Sequence, residues 1–248
     1  MITCNSFRVM AAAKASAAIF VFLLSGLTAS GQSLSVLPIH VFLGPGEKAT
    51  SLTVSNQGSS ATAVQIRAYA WAQKGDEDQL TATNTIMVSP PMAKIAPGGS
   101  QIVRVILRQL PDNLESTYRI VLDQIPPAAE PGVIHVVVRM SLPVFSKPAI
   151  RSFADVQFHL ERKDGKIYLV GFNAGNLHEV IRDIALKTSD GQKLKAESGA
   201  SPYILAGATR RWHIAAQDAV QLSSEAMQLT AQSEAGAIEE QVRFVPGP

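Results

Sequence analysis

Cysteine is nearly missing from these 248 residues: Cys4 is the only one. It precedes the apolar run AIFVFLL (Ala18 to Leu24), in a segment with Arg8 and Lys14 near its start and Ala29-Ser30-Gly31 at its end. Basic, then apolar, then small residues is the order of a secretory signal peptide, so residues 1–31 are expected to be removed and the chain exported. What remains has no cysteine, which excludes a disulfide framework, a thiolate nucleophile and thiolate-bound zinc. Long hydrophobic runs are also scarce. The run in the leader is shorter than the roughly 20 residues that cross a bilayer, and no later segment comes closer, so the protein is not expected to be membrane-embedded. A charge of one sign is the third absence. Lys and Arg number 22 against 20 Asp and Glu, and loss of Arg8 and Lys14 leaves 20 of each. Nucleic-acid binding needs a strongly basic domain or stripe, so that class of partner is excluded.

Converging catalytic groups are absent at the level of spacing. The five histidines, His40, His135, His159, His178 and His213, are scattered, with no His-x-x-x-His pair for one metal ion. No Gly-x-Ser-x-Gly elbow occurs, and Gly44-Pro45-Gly46 lacks the following glycine and helix of a phosphate-cradling loop. Lys74-Gly75-Asp76-Glu77-Asp78 reads as a solvated hairpin tip, because a calcium loop spreads its ligands over about 12 residues. No catalytic residue, cofactor or metal site is assigned, and an enzyme is not expected.

What the sequence does contain is alternation. From Ser33 onward, short runs of alternating apolar and polar residues are broken by Gly, Pro, Asn and Asp, which is an all-β pattern. In the first half the runs are Ser51 to Asn56, Thr62 to Trp71, Gln101 to Arg108 and Tyr118 to Pro126. Lys147-Pro148 then reads as a connector. Beyond it lie Asp155 to Glu161, Lys166 to Phe172, Val180 to Lys187, Trp212 to Ala215, Met227 to Ala231 and Ile238 to Phe244. The Ala-, Glu- and Gln-rich stretch from Ser223 to Glu240 suits a helix by composition; parity within Met227 to Ala231 and Ile238 to Phe244 reads it as two strands. A chain without disulfides depends on buried apolar area, and roughly 217 residues suffice for two cores of about 100 each. Two β-sandwich domains in tandem are expected, at 32–147 and 148–248.

Residues 133–145, VIHVVVRMSLPVF, are too apolar for an ordinary exposed strand. Ile134, Val136, Val138 and Met140 share one parity; His135, Val137, Arg139 and Ser141 share the other. Two readings fit: a strand buried within its own sandwich, or a row of aliphatic side chains offered to a partner.

Ser33 to Asn56 with its Gly46-Glu47-Lys48 turn, the Ser89-Pro90-Pro91 step, APGGSQIVRVILR (Ala96 to Arg108), YRIVLDQIP (Tyr118 to Pro126) and PVFSKP (Pro143 to Pro148) follow one another along the chain. In this order they resemble the periplasmic chaperones of the chaperone/usher pathway of pilus assembly. The resemblance implies two immunoglobulin-like domains in an L or boomerang arrangement, the last strand of the first lying at a sheet edge. It also implies that Ile134, Val136, Val138 and Met140 complete a pilus subunit lacking one strand, before delivery to an outer-membrane usher. Burying four aliphatic side chains would contribute on the order of 6–12 kcal/mol before association costs. No nucleotide or metal is implied, and the free chain could pair with itself through the same edge.

Two residues depart from the family pattern. Its well-known members clamp the subunit's C-terminal carboxylate with an Arg on the first strand and a Lys near the end of the edge strand; here those positions hold His40 and Pro143. A hairpin closed by residues 126–131 would bring Arg119 opposite Arg139 to Pro143, so Arg119, with Lys147 or His40, is the candidate carboxylate anchor. The alternative is that Arg119 is an ordinary exposed strand residue. The His40 and PVF features resemble a divergent, spore-coat-type or archaic branch, and the short PPAAEPG connection (Pro126 to Gly132) resembles chaperones of rod-like pili. A secreted two-domain adhesin or surface-binding module, with the apolar strand as core, is the competing class.

Overall fold

Alternation in the sequence becomes a sorting of side chains between core and surface. Within residues 62–66, Thr62, Val64 and Ile66 are buried while Ala63 and Gln65 are half-buried. The computed structural model describes residues 34–74, 77–128, 131–132, 135–197, 201–215 and 226–245. The expected signal peptide, the Gly75-Asp76 turn and Ile134 lie outside them.

Among the described residues of the first half there are ten strands: β1 (Leu34–Leu37), β2 (Val41–Leu43), β3 (Ala49–Asn56), β4 (Thr62–Lys74), β5 (Glu77–Ala82), β6 (Ile86–Ser89), β7 (Met92–Ile95), β8 (Ser100–Leu107), β9 (Ser116–Ile125) and β10 (Arg139–Ser146). They form two sheets, β1-β3-β8-β6 and β2-β10-β9-β4-β5, with β7 also paired to β4. Leu52, Val54, Val103 and Val105 of one sheet meet Val64, Ile66, Ile120, Leu122, Leu142 and Val144 of the other in a single apolar core. This is a sandwich packed face to face.

The second half holds β11 (Val156–Lys163), β12 (Lys166–Asn173), β13 (Glu179–Val180), β14 (Arg182–Lys187), β15 (Lys193–Ala196), β16 (Tyr203–Ile204), β17 (Thr209–Ala215), β18 (Ala226–Ser233) and β19 (Gly236–Arg243). Seven of these make one sheet in the order β11-β12-β17-β15-β14-β18-β19, and β13 pairs with β16. The large sheet curls until its ends meet: Leu160 of β11 bridges Phe244, and the Val245 N–H donates to the Leu160 carbonyl at 3.0 Å. Its core gathers Leu160, Ile167, Leu169, Leu186, Ile204, Trp212 and Leu229, and continues into Trp71 and Phe145 of the first sandwich.

The Ser223 to Glu240 region is two strands, β18 and β19, paired from Ala226↔Arg243 to Ser233↔Gly236. Asp164-Gly165 is the turn between β11 and β12, with positive φ at both residues (53° and 71°), as a tight hairpin of this type requires. Val180 to Lys187, expected as one strand, is broken: β13 and β14 belong to different sheets, and a register shift follows at Arg182/Ala185, where Asp183 has φ 54°. A bulge of this kind redirects a strand without interrupting its apolar composition, which is why alternation alone joins the two pieces.

Candidate functional site

The expected edge strand is an edge for part of its length. On one side β10 pairs antiparallel with β9 from Arg139↔Asp123 to Ser146↔Ser116. On the other side it pairs parallel with β2, and only at Val144 to Ser146. The lane beside Arg139 to Pro143 therefore holds no strand among the described residues.

The strand begins at Arg139, later than the expected start at Val133. The cause lies across the hairpin. The Gln124 N–H donates to the Val138 carbonyl at 2.9 Å, and Gln124 Oε1 accepts from the Val138 N–H at 3.2 Å. The next rung would need an N–H from the residue opposite Val136, which is Pro126, and proline has none. Val136 is consequently 75% exposed and Val138 half-buried. Met140, expected to face a partner, packs in part against its own core, on the same parity as buried Leu142 and Val144. One row of side chains thus runs out of the sandwich core and into the open at its N-terminal end.

Asp123 pins this transition. Its carboxylate accepts from Arg139 and from Arg67, and the Arg139 hydrogen bond is the largest of the effects holding its pKa below the ordinary value. A carboxyl with a lowered folded-state pKa stabilises the fold fully above its ordinary value, and that contribution is lost as pH falls through the folded value. The parent is therefore expected to melt above Asp123→Asn at neutral pH, and the gap to close on acidification below about pH 4. Thermal melting curves across pH check this.

The outer face of the same sheet carries the charged group. Arg119 lies opposite Pro143 in β10 and Tyr69 in β4, so it projects on the face shared with Phe145 and Phe42. Its guanidinium sits 3.7 Å from the centroid of the Trp71 ring and 5.4 Å from that of Tyr203, which comes from the second half of the chain. No carboxylate bonds to it among the described residues. Burial lowers its pKa, with Asp78 opposing the effect, yet a guanidinium stays charged at any physiological pH.

His40 Nε2 and the Tyr203 hydroxyl share a hydrogen bond of 3.0 Å, so Arg119 and His40 meet on one ring. Lys147 is exposed just past β10, its N–H donating to the Leu43 carbonyl at 3.0 Å. The structure thus brings together two of the three candidate anchors.

Buried polar contacts between the two halves hold this arrangement. Glu115 Oε2 accepts from the His178 N–H at 2.9 Å and lies 2.7 Å from His178 Nδ1, with both side chains almost fully buried. The His178 ring stacks on Phe145 with centroids 3.6 Å apart and planes 5° from parallel. Gln73 reads the backbone across the junction, Nε2 donating to the Tyr203 carbonyl and Oε1 accepting from the Leu205 N–H, each at 2.9 Å. Glu115→Ala strands two buried donors at about 1–3 kcal/mol each, so a melting temperature roughly 5–10 °C lower is expected by calorimetry. Glu115→Gln, which keeps an acceptor oxygen, is expected to recover part of that loss.

Residues 33–151 match the family described as pili and flagellar-assembly chaperone, PapD N-terminal domain. Over these residues the chain is similar to the pilus chaperones. It is 30% identical to the chaperone protein FaeE of Escherichia coli over 174 residues, 67% of this chain and 63% of that protein. It is 33% identical to the chaperone protein ClpE of Escherichia coli over 138 residues, 53% of this chain and 50% of that one. The chain spans between half and two thirds of the length of these relatives. Among solved structures it is similar to the CsuC-CsuE chaperone-tip adhesion subunit pre-assembly complex from the archaic chaperone-usher Csu pili of Acinetobacter baumannii. There the TM-score is 0.65 at 24% identity, over 86% of this chain and 98% of that one. The fold is that of the pilus chaperones, two immunoglobulin-like sandwiches, and the archaic-like character expected from His40 and Pro143 fits this likeness.

Sequence reasoning passed over Phe42, Trp71, Glu115, His178 and Tyr203 as residues of this site. A signal existed for Phe42 alone, an aromatic between the apolar residues Val41 and Leu43, at the parity that faces outward. Tyr203 lies 163 residues from His40, beyond the reach of any local pattern.

Proposed function

We propose that this chain is a periplasmic, non-enzymatic chaperone that binds pilus subunits by lending them β10 and passes them to an outer-membrane usher. The observation that carries the reading is the lane beside β10. Among the described residues no strand pairs with it from Arg139 to Pro143, and β2 fills it from Val144 onward. A strand added there gains main-chain hydrogen bonds from the open edge, and side-chain selectivity from the row containing Val136 and Val138. If it runs parallel to β10, in line with β2, its C-terminus must stop near Pro143, where His40 and β2 block the lane. Arg119, opposite Pro143 on the next strand, is then the cation that receives the terminal carboxylate in this reading. A half-buried guanidinium between two aromatic rings, with no carboxylate bonded to it among the described residues, suits that task.

An exported subunit lacking its last strand exposes both a groove and an unpaired edge, and such edges aggregate. Covering them needs only a rigid donor edge. The CsuC relative, solved with a tip adhesion subunit, supports the same role here. The test is co-expression of the exported chain with a pilus subunit, followed by size-exclusion chromatography with light scattering. A one-to-one complex and a rise in soluble subunit are expected. Subunit that aggregates equally with and without the chain would overturn the reading.

A further inference from the structure

We infer that Phe42 and His40 form a seat for the last side chain of the captured subunit, and that this seat selects an aromatic or bulky aliphatic residue. The inference rests on the capture reading above. A strand in the lane beside β10 ends against His40 and the start of β2, and its final side chain is delivered to whatever stands there. What stands there is an exposed ring. Phe42 is 55% exposed, although it stacks on Phe145 with centroids 5.6 Å apart and planes at 25°. Val41 and Leu43 on either side of it are buried in the core, which fixes β2 and leaves Phe42 no inward alternative.

His40 closes one side of the seat, its ring edge-on to Phe42 at 6.4 Å and held in place by the Tyr203 hydroxyl. The wall behind is wholly aromatic, since Phe145, Trp71 and Tyr203 pack within 5.3–5.9 Å of one another. The acids beside these rings are Glu115, bonded to the His178 ring that stacks on Phe145, and Asp78, which acts on Arg119, and the positive charge of Arg119 is matched to the terminal carboxylate. An exposed ring backed by buried rings gains most from covering by another flat or bulky apolar group. An alanine would leave the Phe42 face wet, and an aspartate would add a charge of the same sign as Glu115 and Asp78.

The experiment uses short synthetic peptides of alternating valine and threonine behind a basic solubilising tail. They end in Phe, Leu, Ala or Asp, each made as the free acid and as the amide, with binding read by fluorescence anisotropy. On the parent, the Phe- and Leu-ended acids are expected to bind at least about tenfold more tightly than the Ala-ended acid, and the Asp-ended acid most weakly. Phe42→Ala is expected to erase the Phe-over-Ala preference while leaving the preference for acid over amide, which belongs to Arg119. Because Phe42 is exposed, that variant should melt with the parent. Equal binding of Phe- and Ala-ended acids, or a preference that survives Phe42→Ala, would overturn the seat while leaving strand capture standing. If no peptide binds, or acid and amide bind alike on the parent, strand capture with its carboxylate anchor fails and the seat fails with it.

Discussion

Val136→Asp is expected to abolish capture of a co-expressed pilus subunit while leaving the melting temperature of the free chain where it was. The two halves of that outcome have separate causes. Val136 is 75% exposed in the free chain, so a carboxylate there stays in water and disturbs nothing. In the complex the same position would lie inside the subunit's groove. Capture then loses the roughly 1.5–3 kcal/mol of a buried valine and adds the cost of desolvating an unpaired charge, together an affinity loss of about a thousandfold or more.

Val137→Asp is the matched control. Val137 is also exposed, at 46%, but its parity is that of Arg139, on the outer face of the sheet. Its replacement is expected to change capture by less than about threefold, as a charge placed on a solvated face does. Equal effects at Val136 and Val137 would mean that the segment acts through general stickiness and not as a strand with one buried face. Val138→Asp is expected to reduce capture as strongly as Val136→Asp, and also to lower the melting temperature, because Val138 is already half-buried.

The contrast between neighbouring valines shows what could be read from the chain alone. The parity of Val136, Val138 and Met140, the two-sandwich fold and the approach of Arg119 to Pro143 all follow from alternation and turn residues. The point where the ladder opens does not, because it depends on the opposite strand. Pro126 and Pro127 end the hairpin pairing, and so decide that Val136 is free while Met140 is partly claimed by its own core. Strands of two to four residues, such as β13, β15 and β16, are too short for alternation to register. The junction built on Glu115, His178 and Tyr203 was illegible for a third reason. Its partners come from loops and short strands 63 or 163 residues apart, and isolated polar residues in such places carry no period.

Arg119→Ala tests the remaining link, from the edge strand to the subunit's terminus. Truncating one partner of a hydrogen-bonded, largely desolvated charge pair costs about 2–5 kcal/mol, so capture is expected to weaken by roughly 30-fold to several thousandfold. The free chain is expected to lose little. With no carboxylate paired to Arg119 among the described residues, and burial acting against its charge, the variant forfeits mainly the stack on Trp71, worth about 1 kcal/mol. That stack also explains why lysine cannot stand in. Arg119→Lys retains the positive charge but not the flat fork that can lie on an indole ring while two N–H groups reach a carboxylate, so intermediate capture is expected. The decisive comparison crosses this variant with the ligand. Converting the terminal carboxylate to an amide should weaken binding to the parent about as much as Arg119→Ala does, and should have no further effect on Arg119→Ala, since two changes to one contact do not add. If instead Arg119→Ala captured subunits as well as the parent, the carboxylate would be held elsewhere. Lys147→Ala and His40→Ala, measured in the same way, would then show which side chain holds it.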